Sequence, residues 1–149
     1  MDRKSPRISV DIIIEKADDP ARPVLLIERH FEPLGYAIPG GFVDYGETLE
    51  AAACREALEE TGLRVELERL LYCYSDPARD PRGHTISAVF LASAIGEAQA
   101  ADDAKALAWY ARGDWPTDIV FDHRRILADY LRFRETGMLP APGSCPALS

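Results

Sequence analysis

Three glutamates, Glu56, Glu59 and Glu60, stand at i, i+3 and i+4 in a stretch dense in Ala, Leu, Glu and Arg. On a helix of 3.6 residues per turn their carboxylates lean to one side of the cylinder. Glu60 falls almost over Glu56, and Ala53 and Leu49 continue that line towards the N-terminus. Like charges at this spacing repel. A divalent cation removes the penalty, and Mg2+ favours hard oxygen ligands, a few carboxylates and retained water. A solvated acidic face with Arg55 beside it explains the same residues without a metal. The flanking sequence weighs for the metal. Pro39-Gly40-Gly41 precedes the stretch, and adjacent glycines allow approaches that side chains block, so a glycine carbonyl can supply a further oxygen. Glu47 lies just ahead of the helix, where it can bond backbone amides or a metal-bound water.

Taken together, Gly41-Phe-Val-Asp-Tyr-Gly-Glu47, seven residues, and then Arg55-Glu56-Ala57-Leu58-Glu59-Glu60-Thr61-Gly62-Leu63 resembles the Nudix box. Every fixed position of that motif is present. Ala57 is small where the pattern often carries a bulkier residue. The resemblance implies an α/β fold, an α/β/α sandwich around a central mixed β-sheet, with the box forming loop, helix and loop. It implies that Glu56, Glu59 and Glu60, with the Gly41 carbonyl, hold Mg2+ or, as an alternative, Mn2+. Arg55 then orients a neighbouring glutamate, with Glu56 the first choice, and Glu47 is a structural partner behind the ligands. The implied reaction is attack of a metal-activated water on phosphorus in a nucleoside diphosphate linked to another moiety, with Arg55, Glu56, Glu59 and Glu60 as the catalytic set. Which glutamate serves as base stays open.

The box names a bond type, so the leaving group must be chosen elsewhere. Ser75 to His84 carries Arg79, Arg82 and His84 in a loop bounded by prolines. Arginine forks match phosphate oxygens, and the segment looks like a stretch of the ADP-ribose pyrophosphatase subgroup. Arg79 and Arg82 are therefore candidates for phosphate or ribose contact; pairing of the loop's own Asp and Arg residues is the alternative. Tyr36 either stacks on a nucleobase or covers the core. Arg29, at the end of a strand, is a further phosphate candidate. Asp122-His123 opens the last helix, with Asp122 expected to cap it. Asp102 and Asp103 are candidates for a metal ligand outside the box. The resemblance makes ADP-ribose, cleaved to AMP and ribose 5-phosphate, the leading substrate, and a homodimer compatible with the chain. Other readings are a house-cleaning nucleoside triphosphate pyrophosphatase, a hydrolase of NADH or dinucleoside polyphosphates, and a nucleotide-sensing domain without catalysis.

These residues need a frame. Ile8–Ile14 reads as an apolar strand with one Asp inside, and Val24–Ile27 as a second. Phe31–Gly41 reads as a loop. Thr48 to Thr61 is the clearest helix, with Thr48 as N-cap, no capping-box Glu at Ala51, and Gly62 as left-handed stop. Leu63–Tyr74, Thr85–Ile95 and Lys105–Tyr110 read as strands, and Asp122–Arg134 has helical spacing. The expected organisation is one domain over residues 1–149, with a core from about 8 to 136 and a loosely ordered tail from 139 to 149.

Of the 149 residues, 47% are hydrophobic and 28% charged, which suits a packed soluble domain. A net charge of −8 makes a poor platform for nucleic acid or an anionic membrane, while a bound metal can still invert the field locally for a small anionic nucleotide. Cys54, Cys73 and Cys145 are odd in number and scattered, which predicts free thiols in a cytoplasmic protein. No apolar run reaches the roughly 20 residues of a membrane span.

Overall fold

The computed structural model describes residues 3–101 and 104–147. Strand β1 (Arg7–Lys16) lies at its centre, a nearly continuous Ile/Val run buried from Ser9 to Glu15. Such a run fits a strand covered on both faces. It pairs in parallel with β6 (Thr85–Ala94) from Arg7↔Thr85 to Lys16↔Ala94. Strand β5 (Glu66–Tyr74) extends that side antiparallel. On the other side β1 makes two separate partnerships. Near its start, Ser9, Val10 and Asp11 pair with β4 (Gly40–Phe42). Near its end, Glu15 pairs with Val24 of β2 (Val24–Arg29). Strand β2 in turn carries β3 (Tyr36–Ala37) and β7 (Ala104–Tyr110). The sheet therefore forks between β4 and β2.

Helix α1 (Leu49–Thr61) covers one face and α2 (His123–Thr136) the other. Parity along β1 assigns the faces. Val10, Ile12 and Ile14 join Ala52, Ala53 and Ala57 of α1, while Ile13 joins Ile126, Leu127 and Tyr130 of α2. The α1 face is almost all alanine, so the helix lies close to the sheet. Its ends are set locally. The Thr48 hydroxyl accepts a hydrogen bond from the Ala51 amide at 3.0 Å, and Gly62 adopts φ 71° beyond the last turn. The expected strands and helices are present, with two differences. The segment Phe31–Gly41, expected as a loop, contains β3 and begins β4, because distant strands supply its pairing. The strand expected from Leu63 begins at Glu66, after the chain leaves the αL stop. The three cysteines are free, and among the described residues no helix is long and apolar enough to cross a membrane.

Candidate active site

The box residues meet where α1 passes β4. A Cβ built on Gly41 would lie within 3 Å of the carboxyl carbon and both oxygens of Glu56, so any side chain there would displace that carboxylate. The Gly40 amide donates to Glu60 Oε2 at 3.1 Å. The Gly40–Gly41 backbone thus threads between two carboxylates of one helix face. Glu59 lies further out, with 58% of its side chain exposed.

Arg55 ties this group together. Its Nε donates to Glu47 Oε2 at 2.7 Å and its Nη2 to Glu47 Oε1 at 2.9 Å. Its Nη1 reaches Glu56 Oε1 at 2.8 Å and Glu59 Oε2 at 3.2 Å, and Nη2 also caps the Phe42 carbonyl at 3.0 Å. The fork of hydrogen bonds from Arg55, with the Asp44 amide, holds Glu47 down to a pKa of about 2. Burial raises the pKa of Glu56, against the bond from Arg55, and the charge of Glu59 adds to the rise.

The donor set suits a hard divalent cation: carboxylates within one helical turn and a glycine backbone pressed against one of them. Among the described residues no three such side chains are already gathered at metal-binding spacing, since Arg55 draws Glu56 and Glu59 to itself. A cation here competes with that guanidinium for its ligands. Asp102 and Asp103, the candidates outside the box, lie outside the described residues.

Beside Glu60 and Gly41 the fork in the sheet opens into a cavity of about 280 Å3. Arg29, Arg79 and Arg82 all line it. Arg29 donates from Nε to the Pro33 carbonyl at 2.8 Å. Burial and the nearby charge of Arg82 both lower its pKa. Arg82 forks onto Asp80, from Nε at 3.1 Å and Nη2 at 2.9 Å. Arg79 is buried and forks onto Asp122 at 3.0 and 2.7 Å, which fastens the Ser75–His84 loop to the start of α2. Pairing within the loop, the alternative reading, holds for Arg82 with Asp80, whereas Arg79 pairs outside the loop with Asp122; both stay at the cavity wall. Asp122 does not cap α2: its side chain makes no capping bond, because Arg79 takes both oxygens. Tyr36 is not brought to the cavity. It packs edge-on against Tyr110, at 6.0 Å between ring centroids. His84 bonds the Ser75 carbonyl from an exposed position.

Phe121, Asp11, Thr85 and His123 are among the cavity residues that the sequence does not single out as site candidates. Phe121, in a left-handed conformation at φ 58°, lies under two guanidiniums, Arg29 at 5.0 Å and Arg82 at 5.1 Å. Nothing in its sequence neighbourhood announces that conformation. Asp11, Thr85 and His123 form the buried inner end. Asp11 left a signal, as the one charge inside an apolar strand. Burial raises its pKa to about 6, although the Ser87 hydroxyl donates to it. His123 accepts from the Ile38 amide at Nδ1, 3.0 Å, which leaves its proton on Nε2, 3.7 Å from Asp11 Oδ1. Burial lowers the pKa of His123 to about 3, so it is neutral at working pH.

Comparison with known proteins agrees with this geometry. The NUDIX domain profile matches residues 5–130. An ADP-ribose pyrophosphatase from Methanocaldococcus jannaschii is 46% identical over 132 residues, covering 87% of this chain and 75% of that protein. Among solved structures, a MutT/nudix family protein from Enterococcus faecalis superposes with a TM-score of 0.75 at 28% identity, over 91% of this chain and 64% of that one. The NUDIX domain of Shewanella oneidensis NrtR, solved with ADP ribose, gives 0.75 at 27% identity, over 90% of this chain and 91% of that one.

Proposed function

This chain belongs to the Nudix hydrolase family, and from that membership we propose that it hydrolyses ADP-ribose to AMP and ribose 5-phosphate with Mg2+, with Mn2+ as a substitute. The observation that carries the reading is the juxtaposition of the Gly41–Glu56–Glu60 cradle with a cavity walled by Arg29, Arg82 and Phe121. The M. jannaschii relative supports the choice of substrate.

Glu56, Glu59, Glu60 and the Gly41 carbonyl would hold the cation. When bound, a divalent ion neutralises phosphoryl oxygens and lowers the pKa of water. Arg55 gathers Glu47, Glu56 and Glu59 at the site, and a bound cation would share Glu56 and Glu59 with it. Water adds to one phosphorus of the diphosphate, the bridging P–O bond breaks, and the departing phosphate leaves with its sugar. Arg29 and Arg82 sit together over one ring with like charges that repel, and a diphosphate beside them relieves that repulsion. Phe121 keeps the pair in register, and the Arg79–Asp122 fork holds the loop that bears Arg82.

The test is a hydrolysis panel with purified protein, Mg2+ or Mn2+, and separation of the products. ADP-ribose should yield AMP and ribose 5-phosphate, and chelation should stop the reaction. Turnover of modified nucleoside triphosphates, NADH or dinucleoside polyphosphates with ADP-ribose untouched would replace the substrate. No turnover of any member with either metal would overturn the reaction class.

A further inference from the structure

The inner end of the cavity is built from groups whose hydrogen bonds can be accounted for one by one. Ser9 Oγ points to the Ile86 carbonyl at 3.5 Å. One oxygen of Asp11 takes the Ser87 hydroxyl. His123 Nδ1 takes the Ile38 amide. Thr85 is 2% exposed, lines the cavity, and among the described residues its Oγ1 is the buried side-chain atom with no hydrogen-bond partner. A buried hydroxyl in that state destabilises the fold by its lost hydration. Valine has nearly the same shape and would carry no such penalty.

What remains for a ligand is therefore the Thr85 hydroxyl, Asp11 Oδ1 and the Nε2 proton of His123: one group that donates and accepts, one acceptor and one donor. A phosphate is disfavoured at this end, because among the described residues the Asp11 carboxylate has no guanidinium bonded to it, whereas Asp80 is already paired with Arg82. A sugar fits, since each hydroxyl both donates and accepts, and Ile27 and Ile38 on the wall suit a ring face. We propose that Thr85, with Asp11 and His123 around it, recognises a sugar hydroxyl of the substrate and so sets specificity at the buried end of the cavity. The proposal rests on the reading above, that this cavity receives a nucleoside diphosphate joined to a sugar. Two riboses of ADP-ribose could supply the hydroxyl, one in each product.

The experiment compares wild type, Thr85→Val and Thr85→Ser. It measures calorimetric binding of AMP, IMP and ribose 5-phosphate with Mg2+ present, KM and kcat for ADP-ribose, and Tm. Loss of one neutral hydrogen bond predicts that Thr85→Val weakens one product by about three- to tenfold and raises KM to match. The other product and kcat should change little, Tm should hold or rise, and Thr85→Ser should bind like wild type. Weakening of ribose 5-phosphate alone assigns the terminal ribose; equal weakening of AMP and IMP, with ribose 5-phosphate unchanged, assigns the nucleoside ribose. Weakening of AMP but not IMP would mean that Thr85 reads the base amine, and it overturns the sugar assignment. Weakening of neither product, or a fall in Tm with binding lost throughout, overturns the proposal. Inactive wild type whose ribose 5-phosphate binding depends on Thr85 would sink the substrate reading alone. Active wild type indifferent to Thr85→Val would sink this inference alone.

Discussion

At the scale of single residues, the site depends on one missing methyl group. The Gly41 Cα lies so near the Glu56 carboxylate that a Cβ would enter it. Gly41→Ala must push the backbone off α1 or turn Glu56 away. Both separate the carbonyl and the carboxylate proposed to share the cation. Activity should fall by about a hundredfold or more, since displacements near 1 Å cost that much in oriented chemistry. The apparent Mg2+ requirement should rise, while Tm moves by only a few degrees. Mg2+ titration of turnover beside a thermal melt measures both, and a variant with wild-type metal dependence would remove Gly41 from the site. This part of the site was legible, because Gly41, Glu47, Arg55, Glu56, Glu59 and Glu60 lie within one local stretch of sequence. Thr85 and Phe121 were not, for opposite reasons. An unpartnered hydroxyl is a property of surroundings drawn from remote strands, and a left-handed phenylalanine contradicts its own local preference.

At the scale of elements, Asp11 on β1 faces His123 at the start of α2, and burial moves the two in opposite senses. Asp11 has its pKa raised from 3.8 to about 6 in the folded state. Between those values the folded chain holds the extra proton, so this group makes stability fall as pH rises. His123 has its pKa lowered from 6.5 to about 3. Across that window the unfolded chain holds the extra proton, so this group makes stability rise with pH. Each slope approaches about 1.4 kcal/mol per pH unit, and in the shared window they oppose each other. Asp11→Asn removes one of them and keeps an oxygen for Ser87. Relative to wild type, the variant should gain about 1 kcal/mol for each pH unit from 4 to 6 and level off above that. Denaturant melts of both proteins across this range read the difference directly, and a flat difference would show that Asp11 is not the opposing group. The elements themselves were mostly visible in sequence, because Thr48, Gly62 and the Ile/Val run of β1 are local signals. Strands β3 and β4 were hidden in a segment rich in Gly and Pro, whose pairing comes from β1 and β2.

At the scale of the molecule, α2 spans β1 from one polar cluster to another, with apolar Ile13 between them. The first cluster, Asp11 and His123, opens on the cavity. The second centres on Glu15, which is 1% exposed and accepts from Arg22, Arg112, Arg134 and the Tyr130 hydroxyl. Arg134 also bonds Glu68 on β5. One carboxylate thus joins β1, the turn before β2, the segment after β7, and α2, with β5 reached through Arg134. Burial works to raise its pKa, but the Tyr130 bond and the charges of Arg134 and Arg112 outweigh it and hold the group below 4.5. Its contribution is therefore complete above that unfolded value and fades as pH falls through the lower folded one. Glu15→Gln leaves three guanidiniums around a neutral amide. Breaking a buried pair costs about 3–5 kcal/mol, and the lower end applies here because Arg22 and Arg112 reach water. At pH 7 the urea midpoint should drop accordingly, with the folded enzyme keeping its kcat/KM, since Glu15 lies four residues beyond Asp11 on β1 and does not line the cavity. A loss below about 1 kcal/mol would mean that the arginines find other partners and that Glu15 does not hold these elements together. A selective fall in kcat/KM, with stability intact, would instead couple this end of the sheet to the site.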